Sequence, residues 1–258
     1  MTMHTGKNRR DYNDIESIFS YRKDIIFSEH AAKLAIFQDS IELLFYLTTV
    51  LNAGFRDEVK RTSKRPDDPK SIIPVLFERN NHNLIAAYKL ACIGLNNSTY
   101  LNLRTVFEGI TQMYLLQLTD REAYIFYKQQ LGTLTETEEK ELKNKHHWLR
   151  PARIRQLLYT GEKKKQVDGF YILISNAAHP GIKRAIGDFD YREEVTVDVL
   201  SILLALSAAS LVSIKNIYSS MINEEETEEI DNMLDRVTQE LNGQVMDISP
   251  NHPGLEKD

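Results

Sequence analysis

The 258-residue chain has a single cysteine, and Cys92 alone excludes an internal disulfide framework and any metal centre built on several thiolates. Glycine and proline are also scarce. Their 11 and 7 copies make up about 7% of the residues, where ordinary usage gives about 12%, so a helical chain is expected. No stretch alternates polar and apolar residues as paired strands do, and no segment recurs at the roughly 20 to 50 residue period of repeat proteins. The common enzyme signatures are missing too: there is no glycine-rich phosphate loop, no Gly-x-Ser-x-Gly elbow and no His-Glu-x-x-His helix. A formal net charge of -5, from 37 acidic and 32 basic side chains, excludes a uniformly basic nucleic-acid coat and a disordered polyelectrolyte. Any nucleic-acid site must be a local patch.

Long hydrophobic runs are nearly absent as well. The one clear case is residues 199–214, VLSILLALSAASLVSI, enclosed by Asp198 and Lys215. It falls short of the ~20 residues that span a bilayer, and it contains Ser201, Ser207, Ser210 and Ser213. A buried central helix over about residues 195–218 is therefore expected, and no membrane partner. Lys7, Arg9 and Arg10 near the start are not followed by an apolar run, so export is not expected and a cytoplasmic location is.

What the chain does have is helical periodicity, punctuated by caps. Leu34, Phe37, Ile41, Leu44 and Leu51 share one face of a segment expected to close at Gly54. After a connector with Pro66 and Pro69, a helix from Ser71 tolerates Pro74 in its first turn and runs up to Gly94. Asn96, Asn97 and Ser98 form a cap cluster for a helix carrying Tyr100, Leu103, Phe107, Ile110, Tyr114 and Leu118. Capping boxes at Thr119/Glu122 and Thr135/Glu138 open two more, the first stopped by Gly132. Ile154, Leu157 and Leu158 form a short helix between Pro151 and Gly161, and the helix that follows breaks at Pro180 and Gly181. A last helix on Ile230, Leu234, Val237 and Leu241 stops at Gly243. The expected fold is an all-α single-domain bundle of about eight to nine helices. Residues 1–27 form a polar segment with a short helix, 28–243 the bundle, and 244–258 a frayed tail.

Two polar constellations lie on this framework. Arg104 and Glu108, in LRTVFEG, are four residues apart and so share a helical face beside an apolar stripe. They form either an ion pair that fixes helix register, or a guanidinium that Glu108 aims at a phosphate or carboxylate. Tyr171, Ser175 and His179, in YILISNAAHPG, repeat at intervals of four near a helix end, with Asn176 one residue round. His179 either caps the last carbonyls or transfers protons near neutral pH. Gly109 and Gly169 lie inside helices beside the two sets, where they mark close helix approach or room for a ligand. His146 and His147 are adjacent, point about 100° apart on a helix, and make a poor pair of ligands for one metal. Neither a metal nor a cofactor is read from the sequence.

Together the Arg-x-x-x-Glu helix and the later Tyr-x-x-x-Ser-x-x-x-His-Pro resemble an uncharacterised prokaryotic family of all-helical proteins with the same two motifs. That family in turn is similar to the HEPN superfamily of helical bundles, which often act as metal-independent ribonucleases in toxin and phage-defence systems. The resemblance covers roughly residues 97–181. It implies a site in which Asn176 and His179 match two family positions, while Ser175 stands where the family has arginine. The missing guanidinium would come from Arg104 on a neighbouring helix, or from a second subunit, since HEPN sites often form across a dimer. With neither, the site is degenerate and only binds.

Charge distribution bears on the same reading. Lys143, Lys145, Arg150, Arg153, Arg155, Lys163, Lys164 and Lys165 face Glu162 alone over residues 143–165, a local balance of +7, with Trp148 and Tyr159 interleaved. Such a strip suits phosphates and stacked bases, or is simply a solvated face. Over residues 224–240 the balance reverses to -7, which suits either the positive end of a helix or a protein partner. Three functions stay open: an RNA-binding or endoribonuclease protein, a non-enzymatic helical dimerisation or interaction protein, and a pocket for a small anionic ligand.

Overall fold

A computed structural model describes residues 15–62, 68–118, 121–144, 150–178, 193–243, 245 and 247–252 of the chain. The expected box at Thr119, the break at Pro180 and Gly181, and the His146–His147 pair lie outside them. The described residues contain ten α-helices, one short 3-10 turn and no strand, an all-α bundle. The helices are α1 (Ile15–Glu29), α2 (Ala31–Thr62), α3 (Ile73–Cys92), α4 (Asn96–Gln117), α5 (Arg121–Leu131), α6 (Glu136–Asn144), α7 (Pro151–Leu158), α8 (Gly161–Ala178), α9 (Glu193–Ile217) and α10 (Glu224–Glu240).

The bundle is organised around α4, which packs against α3, α5, α7, α8 and α9. Leu103, Val106, Phe107, Ile110, Met113 and Leu116 bury its core face completely. Its pairing with α3 begins at the turn between them. Gly94 takes φ of 74°, so that its N–H and that of Leu95 reach back to the Ala91 and Leu90 carbonyls and close α3. Further along, Gly109 lets Asn80 of α3 lie directly on the backbone of α4: a Cβ there would stand 2.1 Å from Asn80 Oδ1. The Asn80 amide donates to the Val106 carbonyl, a tertiary hydrogen bond inside the core.

The apolar segment becomes α9, lodged between α4, α2, α3 and α10. Ser207, Ser210 and Ser213 are fully buried, and each hydroxyl donates to a carbonyl three or four residues back, so no polar group is stranded. By length and composition, Thr196–Ile217 and Ala31–Gly54 are each long and apolar enough to cross a membrane. In this fold both pack against other helices, and two-thirds of the α9 span is buried.

Several local expectations need correction. Helix α2 does not end at Gly54 but runs through it to Thr62. A Cβ at Gly54 would stand 3.1 Å from Met221, so that glycine serves packing and not termination. No side chain caps the start of α4, because Asn96 turns inward and its amide donates to Thr196 of α9. Helix α3 starts at Ile73 and not at Ser71, which lies in a 3-10 turn, Pro69–Ile72, capped by Asp68. Gly161 opens α8 and does not close α7. Residue 26, assigned to the N-terminal segment, belongs to the core, since Ile26 is fully buried. Part of the tail is docked and not frayed: Ile248 is 3% exposed, its carbonyl accepts from the buried Tyr159 hydroxyl, and Asn251 bonds Thr160. Pro74, Gly132 and the Thr135/Glu138 box stand where periodicity put them.

The two interior glycines make opposite predictions. Gly109→Ala should cost about 1–3 kcal/mol, because Asn80 must move out of a closed core. Gly169→Ala, where nothing lies within 4 Å of the added Cβ, should gain about 0.4–1 kcal/mol through reduced freedom of the unfolded chain. Denaturant unfolding of the two variants checks both signs.

Candidate functional site

The packing of α8 on α4 brings the two sequence constellations together. Arg104 Nε donates to Glu108 Oε1 at 2.8 Å, as their four-residue spacing implies. The Tyr171 hydroxyl donates to that same oxygen at 2.8 Å, from 63 residues away. The Arg104 guanidinium lies 5.5 Å from the centre of the Tyr171 ring, and Phe107 packs against both Tyr171 and Phe170. One carboxylate oxygen therefore joins the motifs. The Arg104 and Glu108 side chains stay 23% and 20% exposed, so solvent reaches the pair.

A second guanidinium closes the other side of Tyr171. Arg155 of α7 is 6% exposed, and its Cζ stands 3.7 Å from the ring centre. Its Nε donates to Asp168 Oδ1 at 2.7 Å, while Lys164 bonds the other oxygen of Asp168. Arg155 Nη1 has no hydrogen-bond partner and is buried, so the ring face of Tyr171 supplies its remaining contact. Arg79 of α3 donates to Gln112 at 2.8 Å, one turn along α4 from Glu108, and feels the charge of Glu108. Tyr171 and Glu108 thus sit among cations from three other positions of the bundle.

Electrostatics follow from these contacts. Burial works against the charge of Arg104, but the hydrogen bond and charge of Glu108, aided by Tyr171, outweigh it and raise its pKa. For Arg79 the balance is reversed: burial lowers the pKa, and the more distant Glu108 only partly offsets it. Burial would raise the Asp168 pKa, yet hydrogen bonds from Arg155 and Lys164 leave it below the usual carboxylate range.

The other expected residues are distributed unevenly. Ser175 lies one turn beyond Tyr171, with its Oγ buried and unpartnered, while Asn176 is exposed. His179, Lys145, Trp148 and the side chain of Lys143 lie outside the described residues. Within the basic strip, Arg155 and Lys164 turn inward to Asp168, Lys163 pairs with Asp247 of the tail, and Lys165 pairs with Glu162. Arg150 is exposed and Arg153 half-buried. Two acids beyond the interval in which it was counted, Asp168 and Asp247, thus pair with three of its cations and lower the formal balance from +7 to +5. Among the described residues, no group of three or more His, Cys, Asp or Glu is placed to hold a metal ion.

Sequence reasoning missed Asp168 and Arg79. The signal for Asp168 was available: Lys164, Asp168, Tyr171 and Ser175 follow one another at intervals of four, three and four, a single stripe on α8. Arg79 carried no such signal, because its place beside Glu108 depends on how α3 crosses α4. No protein-family model matches the chain, and comparisons with curated proteins and with solved structures give no match either.

The Asp168 pKa carries a pH prediction. Because the folded value is depressed, its stabilising contribution is full above the ordinary carboxylate pKa of about 3.9 and is lost as pH falls through the folded value. Asp168→Asn should lower stability by about 1–3 kcal/mol at neutral pH. The gap from the parent chain should narrow on acidification below that ordinary value. Denaturant midpoints across a pH series read both effects.

Proposed function

We propose that the chain is a HEPN-like RNA-binding protein with a metal-independent endoribonuclease centre on the α4–α8 face. The observation that carries this reading is the shared Glu108 oxygen, which places Arg104 against the helix that bears Tyr171 and Ser175. HEPN resemblance asks for a guanidinium that α8 itself lacks, because Ser175 occupies the arginine position. Arg104 is a guanidinium on a neighbouring helix, held in one orientation and still reachable by solvent. Placement of this kind suits a phosphate clamp.

The chemistry requires a base, an acid and a cation. A base removes the proton of the ribose 2′-hydroxyl, the 2′-oxygen attacks phosphorus, and the bond to the 5′-oxygen breaks as an acid gives that oxygen a proton. The products are a 2′,3′-cyclic phosphate and a 5′-hydroxyl. His179, the next position of the Tyr171–Ser175 stripe in sequence, is assigned the proton transfer. Arg104 binds the non-bridging oxygens as charge grows on them. Tyr171, Ser175 and Asn176 orient groups by hydrogen bonds, and exposed Arg150 with Arg153 leads the strand in.

A second reading has its own support. Leu101 of α4 and Ile172 and Leu173 of α8 are each more than half exposed, an apolar display that suits a dimerisation or interaction face. In that case the Arg104–Glu108–Tyr171 group is a lock between helices, and its loss lowers stability with no activity to lose.

Single-turnover cleavage of a labelled single-stranded RNA separates the two. On the ribonuclease reading, His179→Ala slows cleavage about 10²–10⁴-fold with the unfolding temperature unchanged. RNA affinity should also fall steeply with added salt. Cleavage by His179→Ala at the parental rate, or no RNA binding at low salt, removes the reading.

A further inference from the structure

A second feature lies away from the α4–α8 face, where α10 packs across α2. Glu42, Leu43 and Tyr46 of α2 and Glu229, Asn232, Met233 and Arg236 of α10 line a groove of about 430 Å³. The α10 positions fall at intervals of three, one and three, so the groove follows that helix for about 10 Å, or two turns. Leu43 and the nearly buried Met233 form an apolar floor, and Tyr46 stands at the side with 51% of its surface exposed.

The rim is acidic. Glu42 and Glu229 are both exposed, and Glu225 and Glu226 lie one turn nearer the start of α10. The Tyr46 hydroxyl donates to Glu226 Oε1 at 3.2 Å, and that bond with the charges of Glu226, Glu229 and Glu225 raises its pKa. Arg236 does not offset this excess, because it is paired with Asp39 at 2.7 Å. Carboxylates here repel a nucleic-acid backbone and attract cations.

We infer that this groove is the docking site for a basic amphipathic helix of a partner protein. An apolar floor along two helical turns accepts residues spaced i, i+3, i+4 and i+7, and methionine adapts to whatever shape they present. Lysines or arginines beside those anchors meet Glu42 on one wall and Glu229 with Glu225 on the other. Tyr46 offers a ring face to an aliphatic anchor or to a cation. The site is independent of the proposed RNA chemistry, and the two surfaces have opposite electrostatic preference.

The test is fluorescence anisotropy of labelled synthetic helices against the full chain. One peptide carries leucines at i, i+3, i+4 and i+7 with lysines elsewhere; a second has the same composition scrambled, and a third has glutamate for every lysine. The expected result is saturable binding of the first peptide alone. Its affinity should fall about tenfold or more on Glu42→Lys with Glu229→Lys, both solvent-exposed, with the unfolding temperature unchanged. Tyr46→Ala should weaken binding without any change of charge. Equal binding of the scrambled peptide, undiminished binding by the charge-reversed protein, or no binding overturns the inference. So does a concentration-dependent dimer of the parent chain that the charge reversal abolishes, which assigns the groove to a second copy.

Discussion

A helix buried on most sides must still accommodate the charges it carries, and in α4 this depends on one oxygen of Glu108. That oxygen accepts hydrogen bonds from Arg104, on its own helix, and from Tyr171, on α8. The tyrosine ring in turn lies between the guanidiniums of Arg104 and Arg155, and Arg155 is anchored by Asp168. Helices α4, α7 and α8 are thereby fixed to one another through polar groups at the margin of an apolar core. Removing one member of such a set leaves the others desolvated and unpaired, so their geometry is tightly specified. The same rigidity would hold a guanidinium ready for a phosphate.

Much of the fold was legible because it depends on local rules. Apolar residues at helical spacing marked most helices from α2 to α10, the Thr135/Glu138 box marked the charged α6, and Gly132 and Pro74 behaved as their chemistry requires. Failures arose where tertiary contact decided the outcome. Gly54 has the composition of a helix stop, but its missing Cβ makes room for Met221. Asn96 has the composition of a cap, but its amide is used by Thr196, a hundred residues away. The tail has a polar composition, yet Ile248 finds the core and Tyr159 finds its carbonyl.

The candidate site divides in the same way. Spacing within one helix identified Arg104 with Glu108, and Tyr171 with Ser175. Their convergence, and the arrival of Arg155, depend on helix packing that no spacing rule contains. Interval counting of charge misled for a related reason. Asp168 lies just past the basic strip and Asp247 lies 84 residues from its partner Lys163, yet they pair with three of its cations and remove two of its seven net charges. The acidic helix likewise finds its partners on other elements: the cations Lys33 of α2 and Lys215 of α9 meet Glu240 and Asp231, and the Tyr46 hydroxyl of α2 donates to Glu226. What stays on the surface is a modest cationic edge beside α8 and an acidic groove beside α2.

The central claim is that Arg104 is a phosphate clamp and not only a lock. Nuclear magnetic resonance of the arginine Nε–H groups, followed as single-stranded RNA is added at low salt, examines this atom directly. A clamp predicts a saturable shift of the Arg104 signal, with the buried Arg155 signal unmoved. An Arg104 signal that stays fixed while RNA binds elsewhere, or does not bind, contradicts the account.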